Sequence, residues 1–377
     1  MKTGHRPVDR LRARIEGLLD GTDVRINGER PWDLRVNDER LYARVLSDGT
    51  LGFGEAYMDG WWDCEAIDEM IDRLLRYDVR PKLGMNAALV RDAVHARFVN
   101  RQDKRRAFHV GERHYDIGND LYRAMLDRRM VYTCGYWKNA TTLDEAQEAK
   151  LDLVCRKIGL KPGQRVLDIG CGWGSFAKFA AEKYGAHVVG ITVSKEQVKL
   201  AQETCAGLPV EIRLQDYRDV RETFDHVISL GMFEHVGYKN YRTYFEVARR
   251  CLKDGGLFLL HTIGGNVSAK STDPWIDKYI FPNSMIPSAA QITNAAEGLF
   301  VMEDWHNFGT DYDKTLMEWY RNVEARWSEL SDYDERFRRM WRYYLLSCAA
   351  SFRVRVNQLW QIVYSKNGIV GGYASVR

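Results

Sequence analysis

From residue 151 onward the chain alternates short apolar runs with helical stretches, and this alternation constrains the fold more than any other feature. The runs are rich in β-branched residues and bounded by Gly or Asp, as buried strands of a parallel sheet are. Parallel strands need helical crossovers, which the intervening stretches supply. We therefore predict a doubly wound α/β sheet whose ligand binds at the carboxyl ends of the strands. The five runs are RVLDIG, AHVVGITV, VEIRLQD, FDHVISLG and LFLLHTIG.

Two more strand-like segments, 301–307 and 358–365, follow later and predict an antiparallel pair at the edge of this sheet. They bring the predicted sheet to seven strands, mostly parallel. Residues 264–300, between the fifth run and this pair, are rich in Gly, Pro and Ser. A segment of this length exceeds an ordinary connection, so we predict a lid or substrate-binding insertion there.

The first hundred residues lack the alternation and predict a smaller α+β domain. Residues 101–377 then form the catalytic domain. A basic amphipathic helix is predicted over 7–20, where it either lies at a membrane interface or packs on its own domain. Further predicted elements are strands over 24–27 and 40–46 and helices over 65–76 and 85–100.

The charge and cysteine content exclude several classes of protein. A formal net charge of +3 gives no case for a nucleic-acid partner. The seven scattered cysteines have no C-x-x-C pair, so we expect neither disulfides nor a metal site, and a reducing cytoplasmic compartment. No apolar run reaches the roughly 18 to 20 residues of a membrane span. The basic residues cluster, which suits either anionic phospholipid headgroups or solvated faces balanced by carboxylates. The clusters are Arg10, Arg12 and Arg14; Arg101, Lys104, Arg105 and Arg106; and Arg336, Arg338, Arg339 and Arg342.

A glycine-rich turn follows the first strand of the predicted sheet. Its spacing is D-x-G-x-G-x-G, with Asp168, Gly170, Gly172 and Gly174, and differs from the G-x-G-x-x-G of dinucleotide sites. Such a turn lets the backbone approach a ligand closely. We interpret it as the loop that surrounds the methionine part of S-adenosylmethionine (SAM) in Rossmann-like class I methyltransferases, rather than as a structural turn.

The next two strands end in further candidate cofactor ligands. Most such enzymes place a carboxylate for the ribose after the second strand, but here Thr192 begins the sequence Thr-Val-Ser. Gln197 then either binds the ribose or is an exposed helix residue. After the third strand come Gln215 and Asp216, of which the aspartate is expected near the adenine amine.

Eight segments together resemble the bacterial cyclopropane-fatty-acyl-phospholipid synthases over almost the whole chain. Several are long and chemically unusual, and the Thr-Val-Ser sequence at Thr192 is also similar to that family. The shorter mycolic-acid cyclopropane synthases lack a domain like residues 1–100, so the resemblance implies phospholipid acyl chains as substrate. The segments are LGFGEAYMDGWWDC, HYDIGNDLYRAMLD, VYTCGYW, VLDIGCGWGSFAKFAAEKYG, LGMFEHVG, LFLLHTIG, DPWIDKYIFP and MEDWHNFGTDYDKTL.

The resemblance implies that a cis alkene attacks the methyl group of SAM, forming a carbocation that loses a proton and closes a three-membered ring. It also implies that a bound bicarbonate takes that proton. Tyr132 and Thr133 are expected to line the carboxylate end of SAM. The resemblance also implies a homodimer acting at the inner face of the membrane. The implied bicarbonate pocket consists of Cys134, Glu234, His261, Ile263 and Tyr312.

This pocket makes chemical sense, because an alkene is a weak nucleophile and needs a dry site that holds the methyl group in line. Glu234 is expected to accept the hydroxyl proton of bicarbonate and orient it. Each residue also has a plainer interpretation: Cys134 as a small core residue, Glu234 as a helix-terminal charge, His261 as a satisfied core histidine. The product is also open, since quenching of the cation would give a methyl-branched or methylene chain. A lipid-binding protein without catalysis is a third hypothesis, which the glycine loop, Glu234 and His261 disfavour.

Overall fold

The computed structural model describes residues 7–77 and 118–377. The predicted helix over 85–100 and the basic residues of 101–106 lie outside the described residues. Contacts divide the chain into two compact units. The first contains the N-terminal residues together with Thr272–Pro282 and Leu316–Val356, and the second contains the remainder.

The elements of the described residues are as follows. The helices are α1 (Pro7–Leu19), α2 (Arg40–Met58), α3 (Ile67–Arg76), α4 (Asn119–Met125), α5 (Leu143–Lys157), α6 (Ser175–Tyr184), α7 (Lys195–Thr204), α8 (Tyr241–Cys251), α9 (Pro274–Tyr279), α10 (Ala289–Ala296), α11 (Thr310–Ala325) and α12 (Glu335–Arg353). The strands are β1 (Arg35–Val36), β2 (Trp62–Asp63), β3 (Arg165–Ile169), β4 (His187–Thr192), β5 (Val210–Leu214), β6 (Phe224–Leu230), β7 (Leu252–Gly265), β8 (Val301–Asn307) and β9 (Asn357–Ser365).

The second unit is built on a seven-stranded sheet with the order β5-β4-β3-β6-β7-β9-β8. The first five strands are parallel, and β9 runs antiparallel to both β7 and β8. Alternate residues of β3 enter two different cores, with Leu167 in one and Val166 in the other. Burial on both faces explains why the strands are continuous apolar runs in the sequence. The predicted Rossmann-like sheet of class I methyltransferases is confirmed.

The predicted antiparallel pair is present, but its two strands are not equally placed. β8 forms the edge, whereas β9 lies between β7 and β8. Eight of the nine residues of β9 are buried. This position brings residues of β9 directly opposite those of β7, with Gln361 paired to His261 and Leu359 to Ile263.

The first unit is mostly helical, with one short antiparallel pair formed by β1 and β2. α1 occupies the predicted range and packs on α2, which supports the packing interpretation of its apolar face. The prediction of a strand over 40–46 is wrong, because these residues lie in α2, which begins at Arg40. Leu41 and Tyr42 are buried and Val45 is half-buried, a spacing that fits one face of a helix rather than a strand.

Residues 264–300 are shared between the two units, with Thr272–Pro282 in the first and the flanking residues in the second. In the first unit Trp275 is 1% exposed, and its indole donates a hydrogen bond to Met58 Sδ at 3.4 Å. Lys278 Nζ and Tyr279 Oη donate to Glu55 Oε1 at 2.6 and 2.8 Å. In the second unit Gly265 N donates to Pro287 O at 2.8 Å, which ties the segment to the end of β7. The division by contacts thus differs from the predicted division at residue 100.

Three of the four arginines of the basic cluster on α12, Arg336, Arg338 and Arg339, pair with carboxylates within the first unit. Arg336 pairs with Asp59 and Arg339 with Asp63, at 3.0 and 2.8 Å. Arg339 also donates to the carbonyl oxygens of Tyr57 and Trp62. The interpretation of balanced charge therefore applies to this cluster, and these arginines hold α12 against the segment that ends α2. Within the described ranges, no helix is both long and apolar enough to cross a membrane.

Replacing Gly54 by Ala tests the packing of Trp275. A Cβ at Gly54 would lie 2.4 Å from Trp275 Cδ1, so the indole must shift. We expect Gly54→Ala to lower the free energy of unfolding by about 1–3 kcal/mol, the usual cost of overpacking. Thermal unfolding followed by circular dichroism measures this change.

Gly17→Ala is the matched control, because Gly17 also lies inside a helix and a Cβ there meets nothing within 4 Å. We expect it to raise stability by about 0.5–1 kcal/mol through helix propensity alone. Equal effects of the two substitutions would contradict the packing argument.

Candidate active site

The glycine-rich turn lies at the carboxyl end of β3 and leads into α6. Gly170, Gly172 and Gly174 all have positive φ, at 83°, 55° and 81°. A Cβ at Gly170 would lie 2.6 Å from Met232 Cβ, so no larger residue fits there. The amides of Gly170 and Cys171 donate to Ile191 O at 2.9 and 3.0 Å, which anchors the turn to β4. The turn is thus a fixed, open backbone surface at the edge where the strands end.

Thr192 and Gln197 form a buried polar pair beside this turn. Thr192 ends β4, and its hydroxyl donates to Gln197 Oε1 at 2.7 Å. Ser194 caps α7 by accepting from Gln197 N at 3.3 Å. Gln197 is only 4% exposed, so it is not an exposed helix residue. The two side chains occupy the position where the ribose ligand was expected.

Gln215 and Asp216 follow β5 at the same edge. Gln215 N donates to Thr192 O at 2.9 Å, which joins the two strand ends. Asp216 is 2% exposed and accepts a hydrogen bond from Arg218 N at 2.9 Å, capping a short 3-10 turn. The cap fixes the carboxylate in the place predicted for the adenine site.

Glu234 lies in a 3-10 turn directly after β6 and is 8% exposed. Its Oε1 accepts a hydrogen bond from Ile263 N at 2.7 Å. Its Oε2 is buried and has no hydrogen-bond partner among the described residues. Burial raises the pKa of Glu234 to about 7. The Ile263 amide, expected to bind the anion, therefore holds Glu234, and one carboxylate oxygen remains available to a ligand.

His261 lies near the end of β7 and is 1% exposed. Its Nδ1 is 3.3 Å from Gln361 Nε2, and its Nε2 is buried without a hydrogen-bond partner among the described residues. Burial lowers the pKa of His261 well below its usual value, so the ring is neutral. With the Gln361 amide in this orientation, its nitrogen donates, Nδ1 accepts and the ring proton lies on Nε2. Because its Nε2–H has no partner among the described residues, His261 fits the role of an anion ligand better than that of a hydrogen-bonded core histidine.

Thr315 lies beside Cys134 and one turn of α11 after Tyr312. Cys134 is fully buried, and burial holds its pKa well above the usual range, so the thiol is neutral. Thr315 Oγ1 lies 4.0 Å from Cys134 Sγ and accepts a hydrogen bond from Gly135 N at 3.1 Å. Tyr312, 8% exposed, precedes Thr315 by one turn of α11. Phe308, just before this helix, packs edge-on against His261 with ring centroids 6.1 Å apart.

Thr133 and Tyr132 lie at the same edge of the sheet. Thr133 packs on Gly231, where a Cβ would be 2.5 Å from Thr133 Cγ2. The Tyr132 ring contacts Tyr122 edge-on at 5.2 Å, and Tyr122 contacts Trp173 of the glycine turn at 4.8 Å. Tyr132 is therefore linked to the glycine turn through Tyr122, and Thr133 lies beside the end of β6.

Three residues at the site were missed in the sequence analysis. Lys150 Nζ donates to Thr133 Oγ1 at 2.6 Å, Gln361 faces His261, and Thr315 adjoins Cys134. The sequence did contain a signal for Lys150, because this residue falls on the face of α5 that is buried. That face includes Leu143, Gln147, Lys150 and Val154. A lysine on a buried stripe needs a specific partner.

The residues present fit SAM and a small anion. A Cβ at Gly172 would meet nothing within 4 Å, so the turn leaves space there for a ligand against its backbone. The buried polar side chains Thr192, Gln197 and Asp216 suit the ribose and the adenine. The orphaned Glu234 Oε2 and His261 Nε2 provide an acceptor and a donor, which match the hydroxyl and an oxygen of bicarbonate.

Comparisons with known proteins agree with this geometry. The profile of the family described as mycolic acid cyclopropane synthetase matches residues 102–362. The cyclopropane-fatty-acyl-phospholipid synthase of Escherichia coli K12 is 52% identical over 96% of this chain and 94% of its own. A probable fatty acid methyltransferase of Pseudomonas putida is 37% identical over 93% of this chain and 91% of its own.

Two solved structures share the fold over 69% of the chain. The cyclopropane synthase MmaA2 of Mycobacterium tuberculosis has a TM-score of 0.65 at 30% identity, covering 69% of this chain and 98% of its own. A mycolic acid cyclopropane synthase in complex with SAH and CTAB has a TM-score of 0.64 at 33% identity, with the same coverage. The chain therefore belongs to the mycolic acid cyclopropane synthetase family and is a SAM-dependent methyltransferase.

Proposed function

We propose that the protein adds a methylene group from SAM across the cis double bond of an unsaturated phospholipid acyl chain, forming a cyclopropane fatty acid. The observation that carries this proposal is the pair of orphaned polar atoms on Glu234 and His261 inside a buried site. A further support is the 52% identity to a cyclopropane-fatty-acyl-phospholipid synthase over nearly the whole chain.

The site suits an alkene because its own side chains cannot compete as nucleophiles. When bound, SAM supplies an electrophilic methyl group. The neutral thiol of Cys134 is a weak nucleophile compared with a thiolate. His261 presents a protonated Nε2 and engages its lone pair at Nδ1 with Gln361. Burial of these groups excludes water, so the alkene is the remaining electron donor.

Ring closure requires removal of a proton, and we assign this step to a bicarbonate held by the chain. Its proposed ligands are His261 Nε2–H, the Tyr312 hydroxyl and the Cys134 thiol. The free oxygen of Glu234 accepts the hydroxyl proton of bicarbonate and so orients it. The Ile263 amide acts on Glu234 rather than on the anion, because it donates to Oε1.

SAM is assigned to the edge formed by the ends of β3, β4 and β5. Its methionine part lies along the glycine turn, with Asp168 beneath it and Tyr132 and Thr133 at its carboxylate end. The ribose is assigned to Thr192 and Gln197, and the adenine to Gln215 and Asp216.

A methyl-branched or methylene product is the second candidate. The relatives at 37% and 33% identity are named as a probable fatty acid methyltransferase and a tuberculostearic acid methyltransferase. The orphaned atoms for an anion favour loss of a proton from the new methyl group, which gives the ring or the methylene product, over a saturated methyl-branched chain, which needs a hydride donor.

The deciding measurement incubates the enzyme with methyl-labelled SAM and vesicles of unsaturated anionic phospholipid, with and without bicarbonate. Mass spectrometry of the acyl chains should show a gain of one methylene as a ring that resists mild hydrogenation. Label in a branched methyl group would support the second candidate. An unlabelled lipid would refute both.

Glu234→Gln tests the role of the carboxylate. We expect kcat/KM to fall by about 100-fold or more, the scale of a lost acid–base partner. In the wild-type enzyme kcat/KM should rise with pH around 7, because Glu234, with a pKa of about 7, accepts a proton only when ionised. The variant should lose this rise. Full activity of the variant in saturating bicarbonate would rule out the assignment.

The substrate also implies binding at the inner face of the membrane, and we further propose a homodimer. On α1, Arg10 and Arg14 are exposed, whereas Arg12 pairs with Glu16 at 2.9 Å. We expect an Arg10→Glu, Arg14→Glu double variant to bind anionic vesicles several-fold more weakly in sedimentation assays, with less effect at high salt.

Arg12→Ala serves as the control for this experiment, because its charge is already balanced. It should leave vesicle binding close to wild type. Equal binding by the double variant and the wild type would exclude α1 from the membrane surface. Sedimentation equilibrium of the wild-type protein tests the dimer separately.

A further inference from the structure

Helix α5 buries two lysines, and they differ in what surrounds them. Lys150 and Lys157 are 0% and 1% exposed. A buried ammonium is costly unless an anion and hydrogen bonds compensate it. Lys157 has both, with Asp304 Oδ2 at 3.9 Å and His306 Nδ1 at 3.1 Å. Lys150 has a single hydrogen bond, to the neutral hydroxyl of Thr133 at 2.6 Å.

In the described part of the chain, no carboxylate oxygen lies within 4.0 Å of Lys150 Nζ. Asp127 and Asp168 are close enough for its charge to act on them. Burial nevertheless raises the pKa of Asp127 to about 6 and that of Asp168 to about 7. Neither carboxylate contacts Lys150, so no direct ion pair within the described residues neutralises its charge.

The direction of the hydrogen bond shows where such an anion would bind. An ammonium can only donate, so Thr133 Oγ1 accepts, and its own proton must point to another acceptor. Gln147 Nε2 holds the Thr133 carbonyl at 2.8 Å and so fixes this residue. Thr133 packs on Gly231, and the next residue, Met232, packs on Gly170. Among the described residues the Thr133 hydroxyl donates no hydrogen bond, so its proton is available to a ligand at this edge of the sheet.

We propose that Lys150, acting through the Thr133 hydroxyl, holds the carboxylate of the methionine part of SAM. The proposal rests on the proposed function. Lys150 supplies the charge, and Thr133 supplies the contact, which makes the hydrogen bond to the carboxylate charge-assisted. Lys150 is thus a positioning residue that fixes one end of SAM and, through it, the line along which the methyl group faces the alkene.

The test compares wild-type and variant enzymes, each with two ligands, in the full-length protein without lipid. Isothermal titration calorimetry gives the dissociation constants of SAM and of decarboxylated SAM, which lacks only the carboxylate. Lys150→Met keeps the length and apolar stem of the side chain. We expect it to weaken SAM binding at least 10-fold and to change the binding of decarboxylated SAM less than twofold.

Thr133→Val removes the hydroxyl and nearly preserves the shape, so it should reproduce this selective loss. The double variant should bind SAM no more weakly than either single variant, because both act on one contact. Lys157→Met is the matched control on the same helix and should leave both dissociation constants unchanged. Thermal unfolding of each ligand-free variant checks the fold, and Thr133→Val carries the test if Lys150→Met does not fold.

Equal losses for the two ligands in a folded variant would overturn the proposal, as would an unchanged affinity for SAM. These results would leave the proposed function intact. Failure of the wild-type enzyme to bind SAM at all would instead refute the proposed function.

Discussion

Exclusion of water from the carboxyl edge of the sheet is the constraint on which the rest of this site depends. Burial keeps the Cys134 thiol and the His261 ring neutral and brings the pKa of Glu234 to about 7. The same burial would be unfavourable for Lys150 without a partner. One physical condition thus sets the protonation of Cys134, His261 and Glu234.

The sheet and the cofactor turn could be predicted because each rests on a local pattern. Continuous apolar runs require burial on both faces, and the spacing of Gly170, Gly172 and Gly174 requires positive φ values that few other residues adopt. Strands β3 to β9 accordingly lie at the positions that the apolar runs predicted. The strand predicted over 40–46 failed because a short β-branched run fits a helix face equally well when its neighbours are unknown.

Residues whose role depends on a distant partner could not be predicted in this way. Gln361 matters because β9 inserts beside β7, which the sequence alone does not indicate. Thr315 matters because it meets the segment at Cys134 across 181 residues of chain. Glu234, His261 and Tyr312 were found through motifs. Their interactions were not foreseen. The Ile263 amide, for example, donates a hydrogen bond to Glu234 and so acts on that side chain rather than on the anion.

The first unit combines N-terminal residues with two segments from the last third of the chain, which affects how it folds during synthesis on the ribosome. Arg339 contacts Tyr57 from 282 residues further along the chain. The N-terminal residues therefore emerge long before α12, which completes their core, has been translated. Closing so long a loop is slow, and the apolar faces of α2 and α3 remain exposed in the meantime. The nascent chain should therefore depend on chaperones until its final hundred residues have been made, and the first unit cannot be obtained by cutting the gene at residue 100.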